Sequence, residues 1–189
     1  MSAIAIIPAR GGSVRVPRKN LRLFHGKPIL AYSIETAIES GIFDRIIVST
    51  DDDEIAAVAI QYGAEVHARA VDDGVRGTQE VAAEVLEGIP DAEYACVIYA
   101  TAPMLSAETL QCAFDMLMRN DAPYVVPVAT WLRDPGQFYI GEADSFLAGE
   151  PLIWAQLMPI DPRTECDINT EEDFLRAEIM YASLYPEGK

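Results

Sequence analysis

Short apolar runs alternate with longer stretches of helical spacing, and this rhythm limits the folds open to the chain more than any other feature. The runs at 3–7, 45–50 and 94–100 show no alternation of polar and apolar residues. Such runs predict strands that are buried on both faces, as in a parallel sheet covered by helices. We therefore expect an α/β fold: one domain in three layers, with a mostly parallel sheet and helices on both faces.

The pattern also predicts the individual elements, with turn residues and helix caps marking their ends. Strands are predicted at 3–7, 45–50, 64–68, 94–100, 122–129, 138–140 and 153–158. Helices are predicted at 28–41, 51–62, 78–86, 107–120 and 171–184. Pro28 suits the first helical position and Thr78 suits an N-cap, while Asp51, Asp52 and Asp53 are best interpreted as caps of the second helix.

Charge and size exclude several classes of partner. The 189 residues carry a net charge of −16, which disfavours binding to nucleic acid or anionic lipid. No apolar run is long enough to cross a bilayer, and the first residues lack the basic region of a signal peptide. Cys96, Cys112 and Cys166 lack metal-ligand spacing. We expect a cytoplasmic protein with reduced thiols, no membrane partner and no nucleic-acid partner.

A basic island near the N-terminus stands out on this acidic chain. Its members are Arg10, Arg15, Arg18, Lys19, Arg22 and Lys27. The loop at 8–20 follows the first strand, and ligands of parallel sheets bind at the carboxyl ends of strands. Gly11 and Gly12 allow backbone N–H groups to approach phosphate oxygens, although the spacing fits neither a Rossmann fingerprint nor a Walker A loop. The loop predicts a polyphosphate site, with a solvated surface turn as the alternative.

Several blocks of sequence, in order along the chain, resemble the acylneuraminate cytidylyltransferase family. They lie at 7–13, 15–20, 26–28, 31–35, 43–52, 99–103, 134–139 and 167–174. The blocks at 99–103 and 134–139 are most similar to the pseudaminic acid branch. The resemblance implies a nucleotide-diphospho-sugar transferase-like (Rossmann-like) fold. It also implies transfer of CMP from CTP to a nonulosonic (pseudaminic or sialic-like) acid, with release of pyrophosphate.

The resemblance assigns roles to particular residues. Arg10, Lys19 and Asp167 would be catalytic, and Gln137 and Tyr139 would face the sugar. The nucleotide would be held by Arg10, Gly11, Gly12, Ser13, Arg15, Lys19, Asn20, Arg69, Thr78, Tyr99 and Thr101.

A magnesium site is implied near the C-terminus. Members of the family use Mg²⁺ held by carboxylates, and the matching pair here is Asp167 and Asn169. Alternate residues of an extended segment point to one side, as a shared ligand requires. The alternative is that both residues simply begin the last helix, since acids at 171–173 suit a helix N-terminus.

Three departures from the family pattern bear on activity. Val14 stands where the family usually has a lysine, and Asn169 replaces an aspartate. The third is a short bridge near 131–134 in place of an insertion that supplies sugar contacts and the homodimer arm. This shortening fits either a minimal homologue or a deletion. Two other functions therefore stay open: a nucleotide-binding pseudoenzyme or regulator, and a nucleotidyltransferase for another acidic sugar.

Overall fold

The computed structural model describes residues 1–71, 76–129 and 133–186. Seven strands form one sheet, and two short strands form a separate hairpin. The strands are β1 (Ala3–Pro8), β2 (Leu23–Phe24), β3 (Lys27–Pro28), β4 (Arg45–Thr50), β5 (Glu65–Ala68), β6 (Tyr94–Ile98), β7 (Tyr124–Val128), β8 (Phe138–Glu142) and β9 (Gln156–Pro159). The helices are α1 (Ile29–Ser40), α2 (Asp53–Gln61), α3 (Thr78–Leu86), α4 (Ala107–Leu117), α5 (Ala143–Leu147) and α6 (Glu171–Leu184).

The sheet has the order β5-β4-β1-β6-β8-β7-β9. β1 pairs in parallel with β4 and β6, and β7 pairs in parallel with β9. Among the described strands of this sheet, only β8 runs against its neighbours, β6 and β7. The predicted mostly parallel sheet is confirmed, and the carboxyl ends of β1, β4 and β6 meet at one edge.

Alternate residues of β1 enter two separate cores. Ala5 and Ile7 pack in a core formed with α1, α2 and α4, whereas Ile4 and Ile6 pack in a core formed with α3 and α5. All four side chains are buried, as the strand's unbroken apolar run predicts. The predicted three layers, with helices on both faces of the sheet, are confirmed.

A third cluster fixes the C-terminal helix against the hairpin that follows the basic loop. Phe24 lies edge-on to Tyr32, Phe174 and Tyr181, with ring centroids 5.2–5.7 Å apart. Such edge-to-face contacts add about 0.5–1.5 kcal/mol each beyond burial. The cluster therefore holds the N-terminal and C-terminal parts of the chain together beside the sheet. No helix in the described ranges has the length and apolar character needed to span a membrane.

Helix starts were only partly predicted from sequence. Asp52 caps α2 as expected, because its carboxylate accepts from the backbone N–H groups of Glu54 and Ile55. The N-cap of α3 is Gly77 rather than Thr78, and Pro28 precedes α1 as its N-cap instead of occupying the first turn. Thr78 is instead the first helical residue, and its hydroxyl accepts from the Tyr139 hydroxyl at 2.8 Å.

The sequence also left some elements unpredicted. The hairpin of β2 and β3 has two residues on each strand, and α5 has five residues, so neither produces a clear periodic pattern. The strand expected at 153–158 is a 3₁₀ turn, Leu152–Trp154, followed by β9. The short bridge near 131–134 lies partly outside the described residues, as 130–132 are not described.

Candidate active site

A cleft of about 150 Å³ opens at the carboxyl end of β1. Residues from the basic loop, the end of β6 and the segment before α6 form its walls. They are Pro8, Arg10, Ser13, Val14, Arg15, Val16, Lys19, Asn20, Tyr99, Ala100, Thr101 and Asn169. The predicted loop residues and the pair Tyr99 and Thr101 therefore converge, as the carboxyl-end rule requires.

Contacts from the residues just after β4 and from the loop itself fix the glycine turn. The backbone N–H of Gly11 donates to the Asp51 carboxylate at 2.8 Å. A Cβ on Gly11 would lie only 2.5 Å from Asp52 Oδ2, so this close approach requires glycine. Buried Asn20 donates to the Arg10 carbonyl at 3.0 Å, which places Asn20 as a brace of the loop. Gly12 is exposed beside this turn, with open space around its Cα.

The six cations of the basic island divide into two groups. Arg18 pairs with Asp52 at 2.5 Å and with Glu54 at 2.8 Å. The other two paired cations are Arg22, which contacts Glu171, and Lys27, which contacts Glu35. Within the described ranges, no carboxylate lies within salt-bridge distance of the remaining three, which are Arg10, Arg15 and Lys19.

Lys19 is the most enclosed of these three cations. Its Nζ donates to the Ile168 carbonyl at 2.6 Å, which joins the loop to the segment before α6. Burial lowers the pKa of Lys19, as do the nearby charges of Arg15 and Arg10, whereas Asp167 opposes the change. An anion bound here would relieve this repulsion, because three positive charges share one cleft with little compensation.

The side chains of Asp167 and Asn169 contact each other, as predicted, and three of their four polar atoms already make hydrogen bonds. The Asn169 amide donates to Asp167 Oδ2 at 2.5 Å, and its oxygen accepts from Arg15 at 2.9 Å. Gly136 packs against Asp167, since a Cβ on Gly136 would lie 2.9 Å from the Asp167 Cβ. The described part of the chain contains no group of three or more His, Cys, Asp or Glu placed to hold a metal.

Tyr99 lines the cleft and contacts Asp134, a carboxylate that was not among the predicted site residues. Its hydroxyl lies 3.5 Å from Asp134 Oδ2, and Asp134 also accepts from the Gly136 backbone N–H at 2.8 Å. Burial, together with Asp134, raises the pKa of Tyr99 to about 12, although a bond with Thr78 acts in the opposite direction. Asp134 is the first residue of the family-like block at 134–139, and this position was the sequence signal that could have identified it as a site residue.

Four other predicted site residues lie outside the lining of this cleft. Gln137, only 2% exposed, donates to the Thr164 carbonyl at 2.7 Å. Tyr139, 3% exposed, donates to the Thr78 hydroxyl at 2.8 Å. The Arg69 backbone N–H bonds to the end of β4 through the Thr50 carbonyl at 3.0 Å. Direct sugar contact by Gln137 or Tyr139 stays a prediction, and their burial and bonds point to structural roles.

Comparison with known proteins agrees with this geometry. A pseudaminic acid cytidylyltransferase of Campylobacter jejuni subsp. jejuni is 33% identical over 224 residues, covering 96% of this chain and 97% of that protein. A CMP-N,N'-diacetyllegionaminic acid synthase of Legionella pneumophila is 45% identical over 87 residues, 46% of this chain and 38% of that protein.

Among solved structures, CMP:2-keto-3-deoxy-manno-octonic acid synthetase complexed with CTP superposes with a TM-score of 0.79 at 14% identity. The match covers 97% of this chain and 100% of that one, and it shows a shared fold. The family profile described as cytidylyltransferase matches residues 4–140, which include the basic loop and all of β8 except its last two residues. On the sequence and fold matches together, this chain belongs to the cytidylyltransferase family.

Proposed function

We propose that this protein transfers CMP from CTP to a nonulosonic acid and releases pyrophosphate. The observation that carries the proposal is the group of three cations, Arg10, Arg15 and Lys19, in one cleft at the carboxyl end of β1. Charge-assisted bonds from such groups suit a triphosphate better than a neutral ligand. The names of the relatives direct the choice of acceptor toward pseudaminic acid and its close analogues.

In this reaction the anomeric oxygen of the sugar acid bonds to the α-phosphorus and its proton passes to solvent, while the bond from the α-phosphorus to the bridging oxygen of the β-phosphate breaks. The electron pair of that bond leaves with pyrophosphate. Arg10, Arg15 and Lys19 would neutralise the charge on the phosphates, and the N–H groups near Gly11 and Gly12 would add donors. Positioning and charge neutralisation supply most of the rate enhancement in such transfers.

A magnesium ion fits this site only in part. Mg²⁺ commonly takes one or two carboxylates and completes its shell with phosphate oxygens and water, so Asp167 could serve. The Asn169 oxygen faces Arg15 at 2.9 Å, and therefore would have to turn before it could be a ligand. When bound, the ion would supply Lewis-acid neutralisation of the phosphates.

We expect the region that binds the acceptor to be smaller in this chain than in its relatives, because the middle of the chain is shorter. The match to the Campylobacter protein extends over 224 residues, whereas this chain has 189, so the relative carries residues that this chain lacks. We propose that they correspond to the insertion expected near 131–134. Loss of that segment would remove its sugar contacts and dimer arm, and would leave one domain.

The direct test is pyrophosphate release with CTP, Mg²⁺ and a panel that includes pseudaminic, legionaminic and N-acetylneuraminic acids. We expect release to depend on both CTP and the sugar acid, with pseudaminic acid preferred. Release with UTP or GTP at the same rate would contradict the cytidylyl assignment. Absence of release with every acid, despite CTP binding, would favour the second candidate function.

That second candidate is a nucleotide-binding protein without turnover. The specific observation in its favour is the bond between Arg15 and Asn169, which occupies the amide oxygen where the family pattern has a second carboxylate. Val14, 89% exposed, adds no charge at the position of the family lysine. Calorimetric binding of CTP in the absence of any pyrophosphate release would support this candidate.

A further inference from the structure

The Asn169 side chain lies between a cation of the basic loop and a carboxylate. Its oxygen accepts from Arg15 Nη2 at 2.9 Å, and its nitrogen donates to Asp167 Oδ2 at 2.5 Å. Arg15 and Asn169 both line the cleft at the carboxyl end of β1. An exposed cation of the first loop is therefore held by a residue 154 positions later in the chain.

A neutral amide suits both of these partners at once. An ionised carboxylate can only accept and a guanidinium can only donate, whereas an asparagine amide does both. The nitrogen of Asn169 must therefore face Asp167, which leaves its oxygen facing Arg15. An aspartate at this position would have no proton to donate, and its charge would repel that of Asp167.

The segment that carries Asn169 is itself firmly fastened. The backbone N–H of Asn169 donates to Asp173 Oδ2 at 3.0 Å, at the start of α6. The preceding residue, Ile168, is fully buried, and its carbonyl accepts from Lys19 at 2.6 Å. Arg15, by contrast, is an exposed residue of a loop. The firmer element therefore orients the long side chain, so part of the entropy cost of ordering it is met before a ligand binds.

The bond to Asn169 holds Arg15 without cancelling its charge. Arg18, in the same loop, is paired with the carboxylates of Asp52 and Glu54. Asn169 is neutral, and a guanidinium has five N–H donors. One bond to the amide therefore leaves the positive charge and most of the donors of Arg15 for a ligand in the cleft.

We propose that Asn169 is a positioning residue, which holds the Arg15 guanidinium where it can bind the triphosphate of CTP. The inference rests on the proposed function for the identity of this nucleotide. Arg15 is the only basic residue at 11–17, so no neighbour in that part of the loop could replace its charge. Asn169 then needs no contact of its own with the nucleotide, and its effect on binding passes through Arg15.

The test is a double-mutant cycle on CTP affinity, measured by calorimetry on the full chain in a buffer with EDTA. Chelation removes any effect of residue 169 on a metal ion. Asn169→Ala should weaken CTP binding about threefold to tenfold, because Arg15 loses its orientation. Arg15→Ala should weaken it about tenfold or more, through the loss of a charge-assisted contact. In the Arg15→Ala protein, the added Asn169→Ala should change the affinity by less than about twofold.

Two further variants make the cycle sharper. In EDTA, Asn169→Asp should weaken CTP binding more than Asn169→Ala does, because the new carboxylate would pair with Arg15 and repel the phosphates. Asn120→Ala is the matched control, since the Asn120 amide donates to the Met116 carbonyl at 2.6 Å and does not line this cleft. It should leave CTP affinity unchanged.

Equal weakening by Asn169→Ala with and without Arg15 would overturn the proposal, since Asn169 would then act directly on the nucleotide or through the fold as a whole. Unchanged affinity in either single variant would overturn it too, as would failure of the unsubstituted protein to bind CTP in EDTA. The proposed function fails by a different result, which is the expected cycle of affinities with no pyrophosphate released from CTP, Mg²⁺ and any acid. The two failures are therefore distinguishable.

Discussion

At the level of single residues, the contacts of each loop cation show whether it holds the loop in place or is free to bind a ligand. Arg18 spans Asp52 and Glu54, so it fastens the loop to the start of α2. Arg10 is exposed and lines the cleft, and its carbonyl is braced by Asn20. The side chain of Arg10 can therefore be removed without disturbing the backbone that carries it.

Arg10→Ala should weaken CTP binding by about tenfold or more, because it removes one charge-assisted contact to phosphate. The melting temperature of the unliganded protein should change by less than about 1 °C, since exposed side chains contribute little to stability. Calorimetry and thermal denaturation measure the two effects, with Arg119→Ala as the control for a lost surface charge. A large drop in melting temperature with unchanged affinity would make Arg10 structural.

Asn169→Asp should lower the Mg²⁺ concentration needed for half-maximal pyrophosphate release, because a second carboxylate would stand beside Asp167. Manganese binding followed by paramagnetic resonance gives a readout that does not need turnover, and its affinity should rise in parallel. Asn169→Ser, which supplies no charge, is the comparison. An unchanged metal requirement in the aspartate variant would exclude residue 169 as a ligand.

At the level of elements, the turn before β8 packs tightly against the segment before α6. Gly136 has φ +66° and approaches Asp167 so closely that a side chain would collide with it. Asp134 closes the same turn by accepting from the Gly136 N–H. The position of Asp167 therefore depends on a glycine about thirty residues earlier.

Gly136→Ala should therefore reduce the free energy of unfolding by roughly 2 kcal/mol or more, from the positive φ and the collision together. Gly149→Ala separates the two causes, because Gly149 has φ +65° with nothing near its Cα. That control should cost only about 1 kcal/mol. Urea denaturation measures both values, and equal losses would show that Asp167 moves aside without penalty.

The helices and strands with long, regular patterns could be predicted from sequence, and α3 and α6 were predicted at their observed bounds. The short ones could not, because the two-residue strands of the hairpin depend on packing against Phe174 and Tyr181. Thr78 illustrates a different failure: this suitable capping residue lies one position inside the helix, where its hydroxyl accepts from Tyr139, 61 residues along the chain. Local preference yields to tertiary contacts in such cases.

At the level of the whole molecule, the net charge of −16 and the local basic cleft respond to salt in opposite ways. Raising NaCl from about 0.05 to 0.3 M should raise the melting temperature, because screening reduces repulsion among the surface acids. The same change should weaken CTP binding, because it screens the attraction to Arg10, Arg15 and Lys19. Thermal denaturation and calorimetry at matched salt would detect this opposition; parallel trends would contradict it.

The arrangement of the whole molecule also explains which parts of the candidate site could be predicted from the sequence. The strand ends at 8, 50 and 98 meet because parallel strands align, so the convergence of the loop with Tyr99 and Thr101 was predictable. The sequence could not separate paired from unpaired cations, because the partners Asp52 and Glu171 come from distant parts of the chain.

The bond from Lys19 to the Ile168 carbonyl spans 149 positions of the chain. During synthesis the loop and the central strands leave the ribosome long before residue 168 does. A nascent chain could therefore complete its sheet and still lack Asn169, which lines the cleft at the end of β1. On this geometry the protein becomes competent to bind its ligand only after residue 168 has been synthesised and has returned to the first loop.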